Sequence, residues 1–86
     1  MKTLKLLYFA RLREEFQRAE ESVVLPDTVA TVNDLVAWLA SRGGVWQEEF
    51  SGQKLFRVAI DQVLADGSAV LPAQGEIALF PPVTGG

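Results

Sequence analysis

The sequence predicts an α+β domain of two layers, a mixed sheet packed by one main helix, with an extended C-terminal tail. Three observations carry this. Apolar residues alternate at period two near the start, as in a strand with one buried face, and a short apolar run near the end reads as a second strand. Between them Val32, Leu35, Val36 and Leu39 follow helical spacing. Finally, Pro81-Pro82 follow the last apolar run. Proline fixes φ and has no N–H, so a strand running into Phe80 cannot go on pairing through them.

Taken in order, Lys2 to Phe9 sets Leu4, Leu6 and Tyr8 on one face and Thr3, Lys5, Leu7 and Phe9 on the other, which suits a central strand. Ala10 to Arg18 is one or two helical turns with Leu12 and Phe16 inward, and Arg11/Glu15 and Glu14/Arg18 stand at ion-pair spacing. These charges read as a solvated face, and Arg13 is the one to test for partner contact. Glu21 to Leu25 returns as the hairpin partner of the first strand and stops at Pro26-Asp27. The main helix opens on Thr31 and Asp34, a capping-box pair, and Gly43 stands just past its end, with Trp38 at the edge of its apolar stripe.

Val45 to Lys54 reads as a loop or helical turn whose Trp46 and Phe50 cover one end of the core. Glu48-Glu49 are adjacent, share no face, and read as surface charge. Leu55 to Ile60 is a strand, Asp61-Gln62 a tight turn, Val63 to Ala65 a short return, and Asp66-Gly67 another turn. Pro72-Ala73-Gln74-Gly75 then leads to the last strand, Glu76 to Phe80. This order fits the β-grasp arrangement, in which the first and last strands lie side by side in the centre.

The 86 residues, 49% apolar and 22% charged, make one small domain, 1–80, and a flexible tail, 81–86. A net charge of −3 argues against nucleic acid, which wants a basic stripe, and in favour of protein partners. The apolar run from Leu6 to Ala10 is too short for a signal peptide or a membrane span, so a cytoplasmic location is expected. With no Cys and no His, the chain lacks thiolate nucleophiles, imidazole bases and the usual zinc ligands, and it has no glycine-rich phosphate loop. No metal or bound cofactor is expected, and any nucleotide chemistry falls to another protein.

The chemistry is expected in the tail. Pro81 to Gly86 can reach roughly 20 Å beyond the body when extended. Gly85 and Gly86 lack Cβ, so an enzyme and its nucleotide can close on a terminal carboxyl from every side. A small-residue tail is also a common incidental feature. What sets this one apart is its order: an apolar strand, a Pro-Pro stop, then Gly-Gly.

Phe9-Ala10-Arg11-Leu12-Arg13-Glu14 and Phe80-Pro81-Pro82-Val83-Thr84-Gly85-Gly86 resemble the small subunits of molybdopterin synthase, and the resemblance runs along essentially the whole chain. That family consists of β-grasp sulfur carriers similar in fold to ubiquitin. The resemblance implies that an ATP-dependent activating enzyme adenylates the carboxylate of Gly86, and that sulfur from a donor protein replaces AMP to leave a thiocarboxylate (1-thioglycine). The large synthase subunit, in a heterotetramer, then uses it to sulfurate a precursor pterin. Gly86, with Gly85, is the reactive site. Phe9, Arg13, Leu64, Phe80, Pro81, Pro82, Val83 and Thr84 are the expected partner contacts, although Phe9, Leu64 and Phe80 suit ordinary core positions equally well.

Two stretches depart from the family pattern: Asp61, where many relatives have Asn, and Ala73-Gln74-Gly75-Glu76, where they have an Asp-Gly-Asp turn. Rival readings are a thiamin-type sulfur carrier, a ubiquitin-like modifier joined to lysines, and an interaction domain with an incidental tail.

Overall fold

A computed structural model describes residues 1–52 and 54–82. Eight elements follow one another: β1 (Lys2–Tyr8), α1 (Ala10–Phe16), β2 (Glu20–Leu25), α2 (Val32–Ala40), α3 (Gly44–Phe50), β3 (Arg57–Ile60), β4 (Val63–Ala65) and β5 (Gln74–Phe80). The strands form one sheet in the order β2-β1-β5-β3-β4. Only β1 and β5 run parallel, in the register Leu4↔Gly75, Leu6↔Ile77 and Tyr8↔Leu79, while β1–β2, β3–β4 and β3–β5 are antiparallel. The first and last strands therefore lie side by side in the centre, as the β-grasp arrangement requires.

One face of the sheet carries the core. Leu4, Leu6 and Tyr8 of β1 and Ile77 and Leu79 of β5 are buried against Leu35 and Leu39 of α2. Each fully buried Leu or Ile is worth about 1.5 to 3 kcal/mol against leaving it in water. α2 begins with the expected capping box: Thr31 Oγ1 accepts the Asp34 N–H at 3.2 Å, and Asp34 Oδ2 accepts the Ala30 and Thr31 N–H groups at 3.0 and 3.1 Å. Those bonds hold the Asp34 carboxyl below its ordinary range. Trp38 packs at the core's edge, with the Arg42 guanidinium 5.0 Å from its ring centre.

Several boundaries differ from expectation. Phe9 leaves the strand to become the N-cap of α1, and Gln17 ends that helix in a left-handed conformation, φ 55°, so Arg18 lies outside it. The stretch expected as a loop or helical turn is the helix α3, and Gly43, φ +77°, past the Ser41 that closes α2, is its N-cap. The aromatics do cover the core's end. Trp46 stacks on Phe16 at 3.8 Å, both lie edge-on to Tyr8, and Phe50 meets Phe56 at 4.9 Å.

β3 starts at Arg57 rather than Leu55, and β5 starts at Gln74 rather than Glu76, because Gln74 already pairs with Thr3. The two stretches that depart from the family pattern meet here. Asp61 Oδ1 accepts the Glu76 N–H at 2.9 Å, and the Asp61 N–H donates to the Glu76 carbonyl at 2.9 Å. Gly75 sits at φ +150°, and a Cβ there would stand 2.9 Å from the Asp61 carboxylate.

The charges pair across elements instead of along α1. Arg11 bonds Glu49 at 2.8 Å rather than Glu15, and Arg18 meets Glu21 at 3.4 Å rather than Glu14. Adjacent helical residues point about 100° apart. Glu48 of α3 thus faces water while Glu49 turns toward α1 and is only 1% exposed, which corrects its reading as surface charge.

Candidate functional site: the root of the tail

β5 sits between β1 and β3, so its last residues are tied on both flanks. The Phe9 N–H donates to the Leu79 carbonyl at 3.2 Å on one side, and Arg57 pairs with Phe80 on the other. β5 ends at Phe80, and Pro81 and Pro82 follow, half-buried and outside the sheet. The ladder stops where the N–H groups stop. Val83, Thr84, Gly85 and Gly86 lie outside the described residues, and with them the expected reactive group and the expected flexibility of the tail.

Alternation along β5 sends Ile77 and Leu79 into the core and Ala78 and Phe80 to the opposite, helix-free face. Pairing lines up Leu7, Ala78, Ala59 and Leu64 across four strands on that same face. Phe9 is 47% exposed and Leu64 69%, while Phe80 is half-buried, and none of the three belongs to the buried core. Their placement as core residues is thereby removed. Two small alanines between the large side chains keep this row low, so a flat partner surface has access to it. Arg13 stands one turn into α1 and is exposed, and the exposed Arg57 borders Phe80.

Behind this surface a three-residue ion network joins α1, α3 and the segment before β3. Glu49 Oε1 accepts from Arg11 Nε at 2.8 Å, and Oε2 accepts from Lys54 Nζ at 2.9 Å. Burial pushes the Glu49 carboxyl's pKa up, but the hydrogen bonds from Lys54 and Arg11 outweigh it and hold the group below the ordinary range. A second network anchors β2. Glu21 accepts from the Tyr8 hydroxyl at 2.6 Å and from both terminal nitrogens of Arg42 at 2.8 and 3.0 Å. Burial first, then the bond to Glu21, pushes the Tyr8 phenol far above its usual value, so it stays a donor. No buried side-chain nitrogen or oxygen is left without a partner among the described residues. No described helix is long and apolar enough to cross a membrane.

Leu55 was read only as a strand residue. It precedes β3, is 78% exposed, and its carbonyl accepts from Arg11 Nη2 at 3.1 Å. The signal for it was available: with Phe56 and Val58 inward, alternation turns Leu55 and Arg57 outward.

A sheet with the parallel central pair β1/β5, one principal helix across it and a C-terminal strand ending in a Pro-Pro stop defines the ubiquitin-like β-grasp class. Within that class the chain belongs to the ThiS family, whose sequence model matches residues 6–86. It is 37% identical over 83 residues to the molybdopterin synthase sulfur carrier subunit of Haemophilus influenzae, covering 96% of this chain and 99% of that one. That bears out the resemblance read from the two motifs. Among solved structures it is similar to a putative molybdopterin converting factor subunit 1 from Pyrococcus furiosus, at TM-score 0.78 and 25% identity, covering 96% of this chain and all of that one. It is also similar to small archaeal modifier protein 1 of H. volcanii, at TM-score 0.69 and 25% identity over 96% of this chain and 100% of that one. The fold is shared with a complex of subunits 1 and 2 of the molybdopterin-converting factor from Helicobacter pylori, at TM-score 0.65 and 20% identity over 98% of this chain and 99% of that one.

Proposed function

We propose that this chain is the sulfur carrier subunit of a molybdopterin synthase, acting in the cytoplasm and docking on the large subunit of that enzyme. The observation that carries the reading is the way β5 ends: a strand held on both flanks delivers Pro81-Pro82 at the edge of an apolar, helix-free face. The near full-length likeness to a sulfur carrier subunit supports it.

In this reading the carboxylate of Gly86 is the working group. A carboxylate is a poor electrophile until a leaving group is attached. An activating enzyme supplies one: a carboxylate oxygen attacks the α-phosphorus of ATP, pyrophosphate departs, and a glycyl adenylate forms. Sulfur from a donor protein's persulfide then attacks the acyl carbon and AMP leaves; a thiol of the donor system attacks the donor-side sulfur of the resulting acyl disulfide, forming a disulfide there and releasing the thiocarboxylate. The tail carries it into the large subunit, where the sulfur passes to a precursor pterin. None of these steps asks the chain for a Cys or a His, and it has neither.

Intact mass after incubation with an activating enzyme, ATP and a sulfur donor tests the reading. The expected product has one oxygen exchanged for sulfur and loses that sulfur when the large subunit and precursor pterin are added. An unchanged mass overturns the carrier function. The likeness to a small archaeal modifier protein favours a second reading, conjugation to lysines through the same adenylate. Isopeptide-linked products in place of the thiocarboxylate would select it.

A further inference from the structure

We propose that Leu55 is an anchor for the large subunit on the β3 flank of the tail, and that Arg11, gripped by the buried Glu49, is the positioning residue that presents it. The inference rests on the reading of this chain as a carrier for that subunit.

The tail's exit has two banks. On one, Phe9 leads from β1 into α1; on the other, the extended chain at Leu55 and Phe56 leads into β3. Arg57 pairs antiparallel with Phe80, so the segment leading into β3, with Leu55 two residues before Arg57, lies at the end of the sheet where β5 stops and Pro81-Pro82 leave it. A protein that draws the tail in must close over the ground beside Pro82, so it meets Leu55. Phe56 turns inward to pack on Phe50, while Leu55, two residues before Arg57, stays exposed.

A large apolar side chain left in water on an unsupported loop makes a poor anchor, because its backbone must first be ordered at about 1 to 2 kcal/mol per residue. Leu55 does not stand on such a loop. Arg11 Nη2 donates to its carbonyl at 3.1 Å, and its neighbour Lys54 is tied to Glu49 at 2.9 Å. Glu49 holds Arg11 through Nε, so one buried carboxylate fixes both ends of the clamp. The clamp runs from α1 to the segment before β3 and fixes the two banks relative to each other. The arrangement suits a partner offering an apolar pocket that accepts Leu55, with a carboxylate at its rim to meet the exposed Arg57.

The test titrates the full chain, Leu55→Ala, Arg11→Gln and the double variant against the large subunit, with unfolding midpoints measured on the same samples. Leu55→Ala is expected to weaken binding by about tenfold or more with an unchanged midpoint. Arg11→Gln is expected to weaken it less, and in the double variant the second substitution adds little, since Arg11 acts through Leu55. Wild-type affinity in Leu55→Ala overturns the proposal while leaving the carrier reading intact. A loss confined to thiocarboxylate formation, with large-subunit affinity kept, overturns it in favour of the activating enzyme. Additive losses in the double variant overturn the positioning role of Arg11. A wild-type chain with no affinity for the large subunit overturns both readings.

Discussion

Glu49 is a buried carboxylate whose stability contribution rests on its two cations. Removing a charge-assisted hydrogen-bond partner from a buried site costs about 1.5 to 3 kcal/mol, and Glu49 serves two cations. Its carboxyl is held below the ordinary range, so its contribution to stability is fully present above the unfolded-state pKa, about 4.3, and is lost as pH falls through the lower folded value. Glu49→Gln is therefore expected to lose stability of that order at pH 7 and to show a smaller deficit at about pH 3, below the unfolded-state value. Denaturant unfolding at the two pH values checks this, and an equal deficit at both would contradict it. Phe80 makes the opposite kind of contribution. It is half-buried and lies outside the core cluster, so Phe80→Ala is expected to weaken large-subunit binding by about 2 kcal/mol or more while costing less in fold stability. Affinity and unfolding midpoint on one sample decide the ordering. The aromatic was legible in the sequence as a tail-root residue, but whether it faced core or solvent was not, since Leu79 and Phe80 are equally apolar and only the pleat separates them.

At the scale of elements, the β3–β4 hairpin is strained at its turn. Its two turn residues, Asp61 at φ 47° and Gln62 at φ 72°, both lie in the left-handed region that a two-residue hairpin of this kind demands. Asp61 recovers part of the cost through its two bonds to Glu76. Gln62 is exposed, and its side chain makes no such bond among the described residues. Gln62→Gly is accordingly expected to stabilise the domain by about 0.5 to 1 kcal/mol, read from the unfolding midpoint. The turn was legible from Asp61-Gln62 between two apolar runs, as was α2 from its capping box. The helix α3 was not, because Gly44 opens it and its short stretch mixes two aromatics with polar residues. Its stability comes from Trp46 on Phe16 and Glu49 on Arg11, contacts that spacing along the chain does not reveal.

For the molecule as a whole, the sheet order sets a division of labour. β5 in the centre gives the tail a rigid base, and the chemistry proposed for it needs a free carboxyl at a set reach from that base. Adding one residue displaces the carboxyl by over about 3 Å and puts an amide where the acyl phosphate must form. Deleting Gly86, or extending the chain past it, is therefore expected to abolish thiocarboxylate formation while leaving the unfolding midpoint unchanged. Mass spectrometry and thermal unfolding of the same variants read both. A normal thiocarboxylate yield from either variant would remove Gly86 from the reactive role.

The sequence by itself determined what depends on covalent chemistry and near neighbours: the alternating strands, the capped helix, the prolines that end β5, and the absence of any Cys or His. Tertiary structure alone decided which charges meet. Arg11 finds Glu49, 38 residues away, in preference to Glu15 one helical turn along, because packing α3 against α1 removes water from the distant pair and leaves the local one in it. The bond that holds the Leu55 backbone has the same origin: its donor, Arg11, lies 44 residues away in α1, and no spacing within the segment before β3 encodes it.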